Sequence, residues 1–213
     1  MEVRRDFYLD KLIKRKNNGL IKVITGICRC GKSYLLNNLF YHHLLESGVA
    51  ADHIIRFAFD SADDLYRIGE SLIGIEKEKR GADPEKFMAY VRTKVVDDGM
   101  YYLLLDEIQM LDCFEAVLNS YLRKDNMDVF VTGSNAKLLS KDIATEFAGR
   151  GDEVHMYPLS FAEFMSVYKG DKYMGLSEYM LYGGIPLVVL RDGANDKAAA
   201  LQNLLREIYS GYS

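Results

Sequence analysis

The segment from Gly26 to Ser33 constrains the fold more than any other part of the sequence. It reads GICRCGKS, which fits the spacing G-x-x-x-x-G-K-[ST] in full. An apolar run, Ile21 to Thr25, precedes it, and a segment with a helical pattern follows from Lys32. This context predicts a strand, a phosphate-binding loop and a helix, in which the glycines let backbone N–H groups point at phosphate oxygens.

Two side chains at the end of this loop have predicted roles. Lys32 is expected to reach the β- and γ-phosphates of a nucleotide, and the Ser33 hydroxyl is expected to ligate Mg²⁺. A glycine-rich turn that merely fits the spacing is the alternative, and the flanking strand and helix disfavour it. The predicted nucleotide-binding residues are Gly26, Ile27, Cys28, Arg29, Cys30, Gly31, Lys32, Ser33 and Tyr34.

A second apolar run ends in two acids. Residues Tyr101 to Leu105 read as a buried strand, and Asp106 and Glu107 follow it, as in a Walker B motif. One carboxylate at this place holds Mg²⁺ through its water shell, a role that we assign to Asp106. Glu107 is then predicted to be the general base that polarises the attacking water. An exposed acidic turn after a buried strand is the competing interpretation.

The strand predicted at Val129 to Thr132 ends in small polar residues. Because neighbouring strand ends converge on the γ-phosphate in such a sheet, we expect Asn135 to orient the attacking water, with Ser134 or Thr132 as weaker candidates. A simple turn, or an N-cap for a helix at Ala136 to Leu139, competes with this interpretation.

Arg150 lies in the run AGRGD, just before the last predicted strand. It is a candidate arginine finger, which would present its guanidinium to the γ-phosphate of a neighbouring subunit. A surface ion pair with Asp152 or Glu153 explains the residue equally well. The predicted catalytic residues are therefore Lys32, Glu107, Asn135 and Arg150, and the predicted metal ligands are Ser33 and Asp106.

Signatures of guanine-nucleotide binding are missing from the sequence. It contains no N-K-x-D tetrad, and Asp106 does not begin a D-x-x-G motif. Adenine is therefore the expected base. Asp60, at the end of the second predicted strand, is a minor candidate for the Mg²⁺ or water shell, although an Asp that initiates a turn is at least as good an explanation.

Short apolar strands alternate with turns and helices along the chain, which predicts an α/β fold with a mostly parallel sheet covered by helices on both faces. Helices are expected at Lys32 to Ser47 and at Pro84 to Val96, the second with Asp83 as its N-cap. Between them, one charged helix or a pair of helices is expected at Asp63 to Arg80. The predicted strands are Ile21 to Thr25, Ile54 to Phe59, Tyr101 to Leu105, Val129 to Thr132 and Glu153 to Tyr157.

The pattern becomes helical after Pro158, where the apolar run Ile185 to Leu190 is the one remaining strand candidate. A last helix is expected at about Asp196 to Tyr209, because its leucines recur at helical spacing. We therefore divide the chain into a P-loop core, residues 1–157, and a helical lid with a linker, residues 158–213.

Composition argues against several classes of protein. The formal net charge of −4 disfavours a chain dominated by nucleic-acid electrostatics, and the basic run Lys11 to Lys16 is interpreted as the solvated face of a short helix. No window reaches the roughly 18 apolar residues of a membrane helix, so a cytoplasmic location is expected. The three cysteines, Cys28, Cys30 and Cys113, are too few for a disulfide framework, and the four histidines lack ligand spacing.

These motifs together resemble the AAA+-like predicted ATPases of bacteria and archaea, which carry an N-terminal ATPase domain and a distinct C-terminal domain. The matching stretches span nearly the whole chain, and their order is more specific than any single motif. They are YLDKLIK (Tyr8 to Lys14), IKVITGICRCGKSYLL (Ile21 to Leu36), LLLDEIQ (Leu103 to Gln109), VTGSNAKLLS (Val131 to Ser140), AGRGDEVHMYPLSFAEF (Ala148 to Phe164) and YMLYGGIPLVV (Tyr179 to Val189).

The resemblance implies an ASCE-type P-loop core with a five-stranded parallel sheet of order 5-1-4-3-2, Asn135 at the sensor-1 position and Arg150 near the arginine-finger position. It also implies that the family's chains continue past Gly183 to Pro186 into a second domain, so any contact with nucleic acid would belong to that missing part. Members usually have two successive arginines in the loop where this chain has Cys28 and Arg29, so one expected aid to phosphate binding is absent.

Three functions remain open on the sequence alone. The first is Mg-dependent ATP binding and hydrolysis, acting as a molecular switch for an attached or partner domain, with a homo-oligomer expected if Arg150 acts in trans. The second is a P-loop kinase for a small molecule, although the lid holds a single arginine, Arg191, before its last helix. The third is a nucleotide-dependent interaction module with little hydrolysis, which intact Asp106, Glu107 and Asn135 disfavour.

Overall fold

A computed structural model describes residues 3–71, 81–133 and 149–210 of the 213-residue chain. Its five strands form one sheet of order β2-β3-β4-β1-β5, and the pairs β1–β4, β2–β3 and β3–β4 are parallel. Read from the opposite edge, this is the expected order 5-1-4-3-2, so the predicted fold class is confirmed. The strands are β1 Ile21–Gly26, β2 Ile54–Ala58, β3 Tyr101–Asp106, β4 Met127–Thr132 and β5 Gly151–Met156.

Helices connect and follow these strands. The helix after β1, called α2 and covering residues 32–46, is α-helical at Lys32–Tyr34, π-helical at Leu35–Phe40 and α-helical again at Tyr41–Glu46. None of the helices in the described ranges is long and apolar enough to cross a membrane. The others are α1 Asp6–Arg15, α3 Ala62–Arg67, α4 Pro84–Lys94, α5 Phe114–Leu122, α6 Phe161–Met165, α7 Lys172–Tyr182, α8 Pro186–Val189 and α9 Ala194–Ser210, with short 3₁₀ turns at Ala51–His53 and Ile108–Met110.

The central strands β1, β3 and β4 are buried along their whole length. This is the pattern of a parallel sheet that helices cover on both faces. On one face Phe57 of β2 packs against Phe87 of α4, with ring centroids 5.1 Å apart. On the other face Phe130 of β4 packs against Phe40 of α2 at 4.5 Å. Helices therefore cover both faces of the sheet, and the predicted site residue Asp106 is the last residue of β3.

The same strands bury a charged pair at their amino ends. Lys22 of β1 and Asp128 of β4 form an ion pair, and their side chains are 0% and 4% exposed. Lys22 also donates to the Leu20 carbonyl oxygen over 2.7 Å, and Asp128 accepts from the backbone N–H of Asn17 over 2.8 Å. We call Lys22, Asp128 and these backbone groups the amino-end cluster. Its charges are balanced within the protein.

Two local predictions have opposite outcomes. Asp83 caps α4 as expected: its carboxylate accepts from the backbone N–H groups of Glu85 and Lys86, and Pro84 occupies the first turn. The strand suggested for Ile185 to Leu190 is wrong, because the segment forms the short helix α8 instead. Pro186 explains the difference, since proline is preorganised for the first helical position and removes a strand donor. One helix or a pair is predicted at Asp63 to Arg80: α3 is observed there, and residues 72–80 lie outside the described residues.

The chain divides into two compact units. One comprises Phe7–Gly26 and Lys32–His155 and holds strands β1 to β4. The other comprises Met1–Asp6, Ile27–Gly31 and Met156–Ser213. Within this second unit, Tyr179 of α7 donates its hydroxyl to the Leu159 carbonyl oxygen over 2.8 Å. The division predicted at residue 157 stays a prediction.

Candidate active site

The loop that follows β1 is closed at its base by a lysine. Strand β1 ends at Gly26, and helix α2 begins at Lys32. The Lys32 side chain folds back over this turn, where its Nζ donates to the Gly26 carbonyl oxygen over 2.9 Å. Lys32 is only 5% exposed. A buried ammonium at the start of a helix is suited to an anionic ligand, because the helix N-terminus adds its own positive potential.

The tip of the loop, Ile27–Gly31, belongs to the second unit. Its backbone turns sharply, with left-handed φ angles of +63° at Arg29 and +99° at Gly31. A positive φ at a residue other than glycine is uncommon and is associated with functional sites. Cys30 is buried whereas Cys28 is exposed. The tip of the loop therefore turns sharply at Arg29 and Gly31, and the predicted wrapping around phosphate stays a prediction.

Four polar side chains meet at the carboxyl ends of β3 and β4, and we call Ser33, Asn37, Asp106 and Thr132 the carboxyl-end cluster. Asp106 is its centre and is 5% exposed. The Ser33 hydroxyl donates to Asp106 Oδ1 over 3.0 Å, and the Asn37 amide donates to Oδ2 over 3.2 Å. Thr132 donates its hydroxyl to Oδ1. All of these donors are neutral, so they leave the negative charge of Asp106 in place.

Burial raises the pKa of Asp106, and the nearby charges of Glu107 and Asp60 raise it further, while the Thr132 and Ser33 hydroxyls oppose the shift. The pKa of Asp60 is raised for the same two reasons, burial first and then the charge of Glu107. Asp60, Asp106 and Glu107 therefore produce a negative electrostatic potential at this end of the sheet. Such a region favours a cation.

The donor set fits Mg²⁺. Magnesium in proteins takes oxygen ligands and keeps several waters, so one or two protein groups suffice. Ser33 and Asp106 supply a hydroxyl and a carboxylate that already lie 3.0 Å apart. Within the described ranges no group of three or more His, Cys, Asp or Glu side chains gathers as a metal site. A cation held jointly by this pair, water and phosphate is the arrangement that these residues suit.

Glu107 adopts a strained backbone conformation just after β3. Its φ and ψ are 51° and 50°, in the left-handed region. Its backbone N–H donates to the Thr132 hydroxyl over 3.2 Å, and its carboxylate accepts from the side-chain amide of Gln109. Strain of this kind persists only where the surroundings enforce it. Thr132 therefore holds both acids, since its hydroxyl also contacts Asp106.

The remaining predicted site residues have separate outcomes. Asn135 and its weaker alternative Ser134 fall outside the described residues. Arg150 is exposed, and its Nη1 donates to Asn119 of α5 over 3.0 Å. The surface partner of Arg150 is thus Asn119, whereas Asp152 pairs with Arg15 at 2.7 Å.

Asn37 was not predicted from the sequence, although a signal for it exists. It follows Ser33 by four residues in the same helix, a spacing that places two side chains on one face. Both side chains reach Asp106. The π-helical stretch Leu35–Phe40 contains Asn37, and such stretches often accompany functional sites.

Comparison with known proteins supplies independent findings. A family model described as an AAA domain matches residues 18–165. An uncharacterized protein from Haemophilus influenzae is 35% identical over 196 residues, which cover 89% of this chain and 45% of that protein. An uncharacterized protein from Methanocaldococcus jannaschii is 28% identical, covering 97% of this chain and 44% of that protein. The chain thus spans less than half the length of these curated relatives.

Solved structures with a similar fold include a Walker-type ATPase of Pyrococcus abyssi, with a TM-score of 0.59 and 17% identity. That likeness covers 99% of this chain and 73% of the other. The ORC1 protein of Aeropyrum pernix, solved in complex with DNA, has a TM-score of 0.52 and 12% identity over 96% of this chain and 66% of its own. At these identities the two structures show a shared fold.

Proposed function

The chain belongs to the AAA domain family, and from this premise we propose that it binds ATP with Mg²⁺ and hydrolyses it as a molecular switch. The observation that carries the proposal is the hydrogen bond between Ser33 and Asp106 at 3.0 Å. Ser33 directly follows Lys32 in the sequence. A P-loop protein that uses nucleotide needs a cationic side chain for the phosphates, together with a hydroxyl and a carboxylate for the metal ion. Here the hydroxyl and the carboxylate are already in contact.

Binding is assigned to the loop and the start of α2. The backbone N–H groups between Gly26 and Ser33 are proposed to surround the phosphates, and Lys32 to neutralise the β- and γ-phosphates. Tyr34, 38% exposed, directly follows them and is proposed to border the nucleotide. A bound Mg²⁺ would supply positive charge that offsets the negative charge of the phosphates. Ser33 and Asp106 would hold it.

Hydrolysis is assigned to Glu107, which is proposed to accept the proton of the attacking water. The carboxylate of Glu107 accepts a hydrogen bond from the side-chain amide of Gln109. Asn135 is proposed to orient the water, and Arg150 to act on a neighbouring subunit in a homo-oligomer.

The switch needs something to act upon. Since the relatives are more than twice as long as the matched region, we propose that their additional part is the domain that responds to nucleotide. Nucleic acid as its ligand is a proposal for that additional part, because the present chain carries a net charge of −4. The chain's own role is then to bind and turn over ATP.

Two variants test the assignment. Turnover is measured as phosphate release from Mg-ATP without any small-molecule acceptor, and binding is measured as thermal stabilisation by the nucleotide. Glu107→Gln is expected to retain ATP binding and lose about 10²–10⁴-fold in turnover, the range for removal of a general base. Lys32→Met is expected to lose binding itself, seen as loss of the thermal stabilisation that a saturating ligand gives. Undiminished release by Glu107→Gln would remove the catalytic assignment.

A matched control uses the same chemical change at an exposed site. Glu85 lies in the first turn of α4 and is solvent-exposed, so Glu85→Gln is expected to leave both binding and turnover unchanged. Phosphate release that appears only after a small-molecule acceptor is added would favour the kinase alternative instead.

A further inference from the structure

A buried arginine outside the loop motif holds the tip of the phosphate loop. Arg5 is 2% exposed and belongs to the same compact unit as loop residues Ile27–Gly31. Its Nη1 donates to the Cys30 carbonyl oxygen over 3.2 Å. Its Nη2 donates to the Tyr157 carbonyl oxygen over 2.6 Å. One guanidinium therefore joins the loop to the chain that follows β5.

Glu163 balances the charge of this buried guanidinium. Its Oε1 lies 3.1 Å from Arg5 Nε. Its Oε2 accepts from the backbone N–H and the hydroxyl of Ser160, over 2.8 and 3.0 Å, in the capping box that begins α6. Both carboxylate oxygens are thus engaged, and Arg5 is fixed to the first turn of a helix. Without this partner the buried charge would be costly.

The contact with Cys30 has a geometric consequence for its neighbour. The described residues contain no cis peptide bond, so the Cys30 carbonyl and the Gly31 N–H point in opposite directions within one planar unit. Holding the carbonyl toward Arg5 holds the N–H away from it. Gly31 precedes Lys32, and its N–H is among those that the motif directs at phosphate. Pro186 Cγ also lies 4.0 Å from the position that a Cβ on Gly31 would occupy.

We infer that Arg5 is a positioning residue of the nucleotide site, which orients the Cys30–Gly31 peptide for phosphate binding and couples it to helix α6 through Glu163. The inference rests on the proposed function, because it requires a nucleotide in the loop. Both Nη atoms of the planar guanidinium donate to carbonyl oxygens while its charge is paired with Glu163, and a lysine ammonium cannot reproduce this fork. Nucleotide affinity is therefore expected to depend on Glu163, although no phosphate-binding motif includes that residue.

The test measures the dissociation constant of Mg-ADP for the 213-residue chain by calorimetry, since ADP is not consumed. Arg5→Lys is expected to weaken binding about tenfold, as for loss of one hydrogen bond made by a charged group. Glu163→Gln is expected to weaken it in the same direction by a smaller factor. Arg4→Lys, the same change at the exposed neighbouring arginine, serves as the matched control and is expected to change nothing.

A double variant separates positioning from simple stabilisation. If Glu163 acts through Arg5, then Arg5→Lys with Glu163→Gln binds Mg-ADP no more weakly than Arg5→Lys alone, because coupled residues are not additive. Variants with a lower melting temperature but an unchanged dissociation constant would overturn the inference. If Arg5→Lys fails to fold, the dissociation constant of Mg-ADP for Glu163→Gln tests the inference instead: weaker binding supports it, and unchanged binding overturns it.

Failure of the inference differs from failure of the proposed function. If the unaltered chain binds Mg-ADP and the Arg5 and Glu163 variants bind it with the same dissociation constant, the inference alone is overturned. An unaltered chain that binds neither Mg-ADP nor Mg-ATP overturns the proposed function and this inference with it.

Discussion

The sheet buries charged side chains at both of its ends, but an opposite charge neutralises them at only one end. In the amino-end cluster, Lys22 and Asp128 neutralise each other. In the carboxyl-end cluster, Asp106 is bound by two hydroxyls and an amide, all neutral. Burial lowers the pKa of Lys22, an effect that Asp128 opposes, whereas burial and two neighbouring acids raise the pKa of Asp106. One cluster is complete without a ligand, and the other is suited to receive a cation.

This difference separates stability from function within one set of strands. A buried ion pair that the protein itself completes has no ligand to bind, and its removal acts on folding. A buried acid among other acids lowers the stability of the unliganded fold, a cost that proteins accept at functional sites. Identical chemical changes at the two ends should therefore have effects of opposite sign.

The largest effect on folding is expected from Lys22→Met. It leaves Asp128 buried without its cation, which lowers the free energy of unfolding by about 3–5 kcal/mol. Urea denaturation measures this change. The double variant Lys22→Met with Asp128→Leu is expected to recover most of the loss, because it removes both charges. Lys169→Met, at an exposed lysine, is the control, with an expected change within about 0.5 kcal/mol.

A smaller effect of opposite sign is expected from Asp106→Asn. Without nucleotide at neutral pH, the variant is expected to be more stable than the unaltered chain by about 0.5–2 kcal/mol, while Mg-ATP no longer stabilises it. Asp128→Asn, the same change at the other end, is expected to be destabilising. If both variants lose stability equally, the contrast between the clusters is wrong.

The same comparison has a pH dependence. Because the pKa of Asp106 is raised in the folded chain, the folded state keeps a proton that the unfolded state has released. The stabilisation of the folded state by this proton is fully present at pH values below the ordinary Asp pKa of 3.8. It is lost as the pH rises through the higher pKa of Asp106 in the folded chain. Denaturation curves at a series of pH values should show this fall in the unaltered chain and a shallower one in Asp106→Asn.

The smallest effect is expected from a charge that belongs to neither cluster. Arg150 is exposed and bonded to Asn119, so Arg150→Gln should change the free energy of unfolding by less than about 0.5 kcal/mol. If Arg150 acts across a subunit interface, turnover per subunit rises with concentration in the unaltered chain and stays low in the variant. A rate that is independent of concentration in both would argue against action in trans.

Sequence patterns predicted most of this fold because they are local. The strand and helix around Gly26 to Ser33, and the capped start of α4, depend on residues that are neighbours in the chain. Ile185 to Leu190 misled because its apolar run suits a strand as well as a helix. Only Pro186 argued for the helix.

The amino-end cluster and Arg5 could not be predicted in the same way. Lys22 and Asp128 each interrupt an apolar strand. The implied sheet order makes β1 and β4 neighbours, but the two charges can be matched only once the register is known, in which Lys22 lies opposite Phe130. Arg5 lies in a charged N-terminal segment with no motif, and its contacts, Cys30, Tyr157 and Glu163, are spread along the chain. Contacts between residues that are distant in sequence depend on strand register and packing, which local patterns do not give.

The position of β1 in the sheet also governs when the site can form during synthesis. The strand that carries the phosphate loop is made before the other four strands of the sheet, yet its neighbours are β4 and β5, and Lys22 is paired in register with Phe130. The β2–β3 pair can form much earlier, because its residues are closer in sequence and closure of the intervening chain costs less entropy. A ribosome-bound chain that ends before β4 would therefore contain the whole phosphate-loop motif but leave β1 without its neighbours, and its affinity for nucleotide should appear only once β4 has emerged.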